Sequence, residues 1–250
     1  MKIFDAHLHI IDPRFPIVPN QGYLPPTFTC HDYLERIQNY ELTGGAIVSG
    51  SFQAFDQQYL LDALKQLGPA FVGVTQLPVT TSDEEILHLD AAGVRAVRFN
   101  LRRGGSESLE QLQTMADRIH ELVKWHVELY VDSRELGELY RTLSTLPAVS
   151  IDHLGLSRDG FHLLCQLVEK GVRVKATGFG RVDFDIPDAL QRIHRINPAA
   201  LLFGTDLPST RAPRPYTDED AMLVARTMDE DAAERILWRN AQEWYHRDQV

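Results

Sequence analysis

The stretch Met1-Lys2-Ile3-Phe4-Asp5-Ala6-His7-Leu8-His9-Ile10-Ile11-Asp12 decides the fold. It opens as a strand over 3–9. Side chains alternate along a strand, so Asp5, His7 and His9 share one face and Phe4, Ala6 and Leu8 the other. A doubly wound nucleotide-binding sheet would follow its first strand with a glycine-rich turn. Here the strand runs into Ile10-Ile11-Asp12 and then, over 12–29, into five prolines: Pro13, Pro16, Pro19, Pro25 and Pro26. On a barrel this stiff loop would lie over the C-terminal mouth, where chemistry is found. Working outward, short runs rich in Val, Ile, Leu and Phe predict strands at 46–50, 71–77, 94–101, 127–132, 149–153, 172–177 and 201–205. Helical patterns lie between them. One spans 56–67, and 82–85 and 108–111 read as capping boxes. Pro187 suits the first turn of a helix over 188–196, and 231–246 closes the chain as one long helix. Eight strands, each followed by a helix, predict an α/β fold: a (β/α)8 or TIM barrel, as a single domain over 1–250.

Composition narrows the function classes. Of 250 residues, 44 % are hydrophobic and 24 % charged, the balance of a folded globular chain. A net charge of −10 repels nucleic acid and offers no basic patch to an anionic membrane. No run of about 18 apolar residues is present, and the N-terminus lacks the apolar core of a signal peptide. Cys30 and Cys165 lie far apart with no framework spacing, which fits two inert thiols and a cytoplasmic protein. The partner expected is a small molecule, and a homo-oligomer is compatible with the composition.

The strands also carry polar sets. Arg98 and Asn100, Glu128 and Tyr130, and Lys175 and Thr177 oppose apolar neighbours on their strands, so they should face the barrel axis. Buried charges are costly unless paired, so Glu128, Lys175 and Arg98 should partly neutralise one another. Three groups sit where strands end: His7 and His9, His153 within Ile151-Asp152-His153-Leu154-Gly155, and Asp206 within Gly204-Thr205-Asp206-Leu207-Pro208. An aspartate facing histidines from two other strands is well placed as a general base.

These motifs resemble the amidohydrolase superfamily, and within it the amidohydrolase-related branch of 2-pyrone-4,6-dicarboxylate lactonase and the sugar and muconolactone lactonases. The resemblance runs nearly the whole length. It includes Gly22-Tyr23-Leu24-Pro25, Ser49-Gly50-Ser51-Phe52, Gly93-Val94-Arg95-Ala96-Val97-Arg98-Phe99-Asn100, Trp125-His126-Val127-Glu128-Leu129, Val174-Lys175-Ala176-Thr177-Gly178 and Trp238-Arg239-Asn240-Ala241. It implies a slightly distorted barrel and a hydrolase that opens a cyclic ester. Carboxylate-binding arginines fall at Arg98, Arg103 and Arg181, and further polar substrate contacts at Tyr23, Ser51 and Tyr130. That set favours a carboxylate-bearing lactone over a neutral one.

Metal-dependent members of the superfamily use the strand-one histidine pair, a strand-five histidine and the strand-eight aspartate. Binuclear members add a bridging lysine or glutamate from strand four. Here strand four ends Arg98-Phe99-Asn100-Leu101 and strand five ends Tyr130-Val131-Asp132, without those groups. His7, His9 and Asp206 could hold a single Zn or Mn ion, but neighbouring arginines oppose a dication, so the expectation is a lactonase that requires no cofactor. Asp206 then takes a proton from water while His7, His9 and His153 polarise the carbonyl. Two alternatives stand beside this one. The first is a mononuclear metal-dependent amidohydrolase or decarboxylase on the same barrel. The second is a barrel that binds a small carboxylate without turnover.

Overall fold

The computed structural model describes residues 1–246. Eight parallel strands follow one another in chain order: β1 (Lys2–Leu8), β2 (Glu41–Val48), β3 (Phe71–Thr75), β4 (Val94–Asn100), β5 (His126–Tyr130), β6 (Val149–Ile151), β7 (Arg173–Ala176) and β8 (Leu201–Phe203). Helices alternate with them: α1 (Cys30–Ile37), α2 (Gln58–Leu67), α3 (Asp83–Ala91), α4 (Leu112–Val123), α5 (Leu136–Leu143), α6 (Phe161–Glu169), α7 (Ile186–Ile196) and α8 (Asp218–Thr227). This is the (β/α)8 barrel expected from the sequence.

The seam between β8 and β1 is where the barrel departs from regularity. No continuous ladder joins them; Leu8 and Leu207 form an isolated parallel bridge, and the Asp206 N–H donates to the His7 carbonyl at 2.8 Å. Asp5 adds a staple, accepting from the Thr205 N–H at 2.8 Å and the Thr205 hydroxyl at 2.7 Å. The strands approach so closely that a Cβ on Gly204 would lie 2.6 Å from the His7 nitrogen, so only glycine fits there.

The simple alternation expected for β1 is broken. Pairing with β2 shifts register between Ile3 and Phe4 and again between Asp5 and Leu8. Phe4 and Ala6 do not join the outer apolar layer. They pack with Ala46, Val48, Val72, Val74 and Leu202, under Trp244 and Tyr245. Asp5 accepts from the Tyr33 hydroxyl of α1 at 3.1 Å. The second shift restores His7 and His9 to the cleft side, while Leu8 joins the outer layer. A bulge of this kind re-aims side chains beside a site.

Local signals account for most helix starts. Thr29 and Asp32 cap α1 reciprocally, and Asp185 caps α7, with Pro187 in its first turn. The box at 82–85 is half made: Ser82 accepts from the Glu85 N–H, and no reciprocal bond forms. The box at 108–111 is absent, because Leu109–Gln111 is a short 3-10 turn from whose N–H groups the Ser108 side chain accepts no capping hydrogen bond. The closing helix expected over 231–246 is interrupted. It runs as α9 (Glu230–Glu234), a π turn (Arg235–Arg239) and α10 (Asn240–Tyr245). Asn240 anchors it to the start of β8 through the Leu201 carbonyl at 3.0 Å. Tyr245 stacks on Phe4 and donates to Glu128 at 2.5 Å, closing the floor of the barrel.

No helix among the described residues is long and apolar enough to cross a membrane. Both cysteines are free and buried. Burial pushes the Cys30 thiol up to about 11 and the Cys165 thiol upward as well. Neither thiol should therefore react with an aromatic disulfide reagent at pH 7.5 until denaturant is added. Rapid release of chromophore from the native protein would contradict this.

Candidate active site

His9, His153 and Asp206 lie just beyond the C-terminal ends of β1, β6 and β8, and His7 lies two residues before His9, inside β1. All four are at most 4 % exposed. The His7 and His9 rings are 5.1 Å apart, and the His7 and His153 rings 5.0 Å. Asp206 Oδ1 sits 3.8 Å from His7 Nε2 and 3.7 Å from His9 Nε2. Residues separated by almost two hundred positions are thus brought to one point. His153 and Asp206 both hold left-handed backbone, with φ of 53° and 60°. That conformation is costly for a side chain with a Cβ and recurs at functional sites.

The two oxygens of Asp206 have different environments. Oδ2 accepts from Arg181 Nε at 2.8 Å, and Arg181 Nη2 also donates to the Thr210 carbonyl at 2.7 Å. Oδ1 is buried without a hydrogen-bond partner, and so is His7 Nε2. Burial alone would raise the Asp206 pKa, but Arg181 and the histidines outweigh it and hold the carboxyl far below the usual carboxylate range. Burial lowers His7 to about 4 and His153 well below its usual value. Both rings are therefore neutral at pH 7.

A ring contact fixes which nitrogen of His9 carries the proton. His9 Nδ1 is 2.7 Å from the Val48 carbonyl, which can only accept. The His9 proton is on Nδ1, and its Nε2 offers a lone pair when the ring is neutral. His7 Nδ1 lies 3.4 Å from both Lys175 Nζ, a donor, and Asp152 Oδ1, an acceptor, so either tautomer finds a partner there, while Nε2 faces the cleft with none. His153 packs against Gly178, where a Cβ would come within 2.5 Å of Nδ1.

Below these groups lies a buried charge network. Lys175 pairs with Glu128, and both are fully buried. Burial pushes Glu128 up, but Lys175 and His126 outweigh it and hold the carboxyl at about 2. Arg98 does not join this pair as expected. Its Nη2 donates to Asp152 at 2.7 Å and its Nη1 to the Ser49 carbonyl at 2.7 Å, leaving only Nε without a partner. Asp152 links the two halves, 4.0 Å from Lys175 and 3.4 Å from His7 Nδ1.

The cleft above Asp206 is walled by His9, Ser51, Arg98, Arg103, Tyr130, His153 and Arg181, all foreseen from the sequence. Tyr23 stands behind the wall, under the guanidinium of Arg211 at 4.4 Å. Asn100, expected to face the barrel axis, also lines the cleft; Phe52, Thr210 and Arg211 line it too and were not foreseen. The loops carrying them have no period to read.

A protein-family model for amidohydrolases matches residues 4–247. The chain belongs to the amidohydrolase family. It is 28 % identical to a 2-pyrone-4,6-dicarboxylate hydrolase of Comamonas testosteroni, over 88 % of this chain and 81 % of that one. It is 26 % identical to a D-galactarolactone isomerase of Agrobacterium fabrum, over 94 % and 88 % of the two chains. Among solved structures, it matches a probable 2-pyrone-4,6-dicarboxylic acid hydrolase from Acinetobacter baumannii with citric acid bound. That match has a TM-score of 0.83 and 25 % identity, covering 98 % of this chain and 99 % of the other.

Amidohydrolases often use a metal, so the donor set needs testing. His7, His9 and Asp206 can each offer one ligand atom, all within 4.8 Å of one another. The carbonyl behind His9 is the kind of contact that orients a ligating imidazole. These three residues fit a single divalent ion, which would supply Lewis-acid polarisation and a more acidic water. They do not fit a two-metal centre, since Asn100 and Tyr130 stand at the ends of β4 and β5, where bridging or fourth ligands would be needed.

Proposed function

We propose that the protein opens a small, carboxylate-bearing lactone by water attack, with Asp206 as general base and no requirement for a metal. One observation carries this reading. Asp206 is clamped through Oδ2 by Arg181, while Oδ1 is buried, ionised, unpartnered and aimed at the histidine cluster. Such an oxygen can hold a water and take its proton as the water adds to the lactone carbonyl. His7 presents an unpartnered Nε2 to the cleft, and in its Nε2–H tautomer it donates to the carbonyl oxygen as negative charge develops there. His153 adds a second imidazole beside it. His9 offers Nε2 as an acceptor that positions the water, and it donates only when protonated. This refines the donor role expected for it. Collapse of the tetrahedral intermediate breaks the ring C–O bond, and the alkoxide or enolate leaving group recovers the proton from Asp206. Arg181 keeps the carboxylate oriented throughout.

The arginines support an acidic substrate, because guanidinium groups bind carboxylates through paired hydrogen bonds. Two of the five Arg98 N–H donors are committed to Asp152 and the Ser49 carbonyl, so Arg103 and Ser51 share the anchoring. The relatives named as 2-pyrone-4,6-dicarboxylate hydrolases, one of them holding citric acid, support the same substrate class. Arg181 places positive charge on the carboxylate that would bind a dication, and Lys175 lies 3.4 Å from His7 Nδ1, which supports the metal-independent route. Protein dialysed against chelator and assayed on a carboxylated lactone should keep its full rate. Loss of activity with restoration by Zn²⁺ or Mn²⁺ would install the mononuclear reading instead.

A further inference from the structure

Arginine at the rim of the cleft is more abundant than the reaction needs. Arg103 follows β4, Arg181 follows β7 and Arg211 follows β8, and all three line the cleft. Arg181 is committed to Asp206 and the Thr210 carbonyl. Arg103 and Arg211 differ from it. No carboxylate of the described residues lies within ion-pairing distance of either, although most other arginines have one. Their hydrogen bonds go to neutral oxygens. Arg103 Nη1 reaches Gln21 Oε1 at 3.4 Å, and Arg211 Nη2 reaches the Asn20 carbonyl at 2.7 Å and Oδ1 at 3.1 Å.

The arrangement is built. Asn20 accepts from Arg211 and donates through Nδ2 to the Arg103 carbonyl at 3.0 Å, so one side chain of the proline-rich loop ties both arginine loops together. The Arg211 guanidinium carbon sits 4.4 Å from the centre of the Tyr23 ring. Its backbone is held at φ 58°, a strained setting for arginine. Two guanidinium groups lining one cleft without a counter-charge, in a chain of net charge −10, form a local positive trap.

We propose that Arg211, backed by Arg103, is the specificity-determining residue of an outer anion subsite. It takes a second carboxylate of the substrate, remote from the ring ester, and sets the preference for two-carboxylate over one-carboxylate lactones. This rests on the lactonase reading above and extends it to a residue outside the foreseen set. A charge-assisted pair of hydrogen bonds is strong enough for a change of about 10–100-fold.

The test compares one ring bearing two carboxylates with the same ring bearing only the inner one. Arg211→Met should raise KM for the first by about 10–100-fold and change KM for the second by less than about threefold, with kcat falling less than KM. Arg211→Lys, which keeps the charge and loses the fork, should fall between, and it retains the test if the methionine variant does not fold. Arg226→Gln removes an equal charge from exposed α8 and should leave both KM values unchanged. Calorimetric titration with citrate, which has no ring to open, reads the subsite without turnover, and Arg211→Met should weaken it by a similar factor. If no lactone is opened but citrate affinity still falls with Arg211, the lactonase reading fails and the subsite stands. If the wild type opens the lactone while Arg211→Met shifts both substrates equally, or neither, the subsite is overturned.

Discussion

Asp206→Asn lowers kcat/KM for lactone opening by about 10²–10⁴-fold, the span that a positioned general base contributes. The substitution is nearly isosteric and keeps an oxygen and a nitrogen at the same sites, but an amide cannot take the proton of the attacking water. The protein should still bind carboxylate ligands at least as tightly as before, because Arg181 loses its internal carboxylate partner. Rate and affinity therefore separate. Steady-state kinetics beside calorimetry of a carboxylate ligand read both. A variant that hydrolyses at near the original rate would remove the base assignment, and one that loses rate only through weaker binding would recast Asp206 as a binding group.

The second large effect is on stability. Lys175→Met leaves the Glu128 carboxylate without its cation in a fully buried position, and Glu128→Leu leaves Lys175 without its anion. Breaking a buried pair from one side costs about 3–5 kcal/mol, whereas replacing both partners with apolar groups is often near neutral. Each single variant should therefore lose about that much in urea unfolding, and the double variant should recover most of it. The Tyr245 hydroxyl and His126 also lean on Glu128, so the acid-side deletion also loosens the closing helix. Additive losses in the double variant would show that the two side chains act independently.

The same residues show what could be read from the sequence. Strand-end histidines and the strand-eight aspartate are legible because period-two alternation and chain order fix which face and which end of a parallel barrel each occupies. Depth and tilt are not fixed in this way. Arg98, Glu128 and Lys175 were expected to pair because all three face the barrel axis, and Arg98 and Glu128 are register partners on adjacent strands. The long Arg98 side chain instead leans to Asp152, beyond β6, and Lys175 takes Glu128. The register shifts in β1 left no mark in the sequence either, since Asp5, His7 and His9 keep perfect alternation as letters. Arg211 escaped because it lies in an aperiodic loop after β8, where only tertiary approach to Tyr23 and Asn20 gives it a direction. The π turn at Arg235–Arg239 was hidden for a similar reason. An amphipathic pattern identifies a helix, but one wide turn changes the hydrogen bonding without disrupting the pattern.

Single-turnover opening of a carboxylate-bearing lactone in ¹⁸O-labelled water, with the product read by mass spectrometry, tests the central chemistry most directly. Water activated at Asp206 Oδ1 delivers one ¹⁸O into the newly formed carboxylate in the first turnover, together with release of one acid equivalent per ring. An unlabelled first-turnover acid would mean that a protein oxygen attacked instead, and an isomeric lactone without label or acid would mean isomerisation in place of hydrolysis; either result contradicts the account.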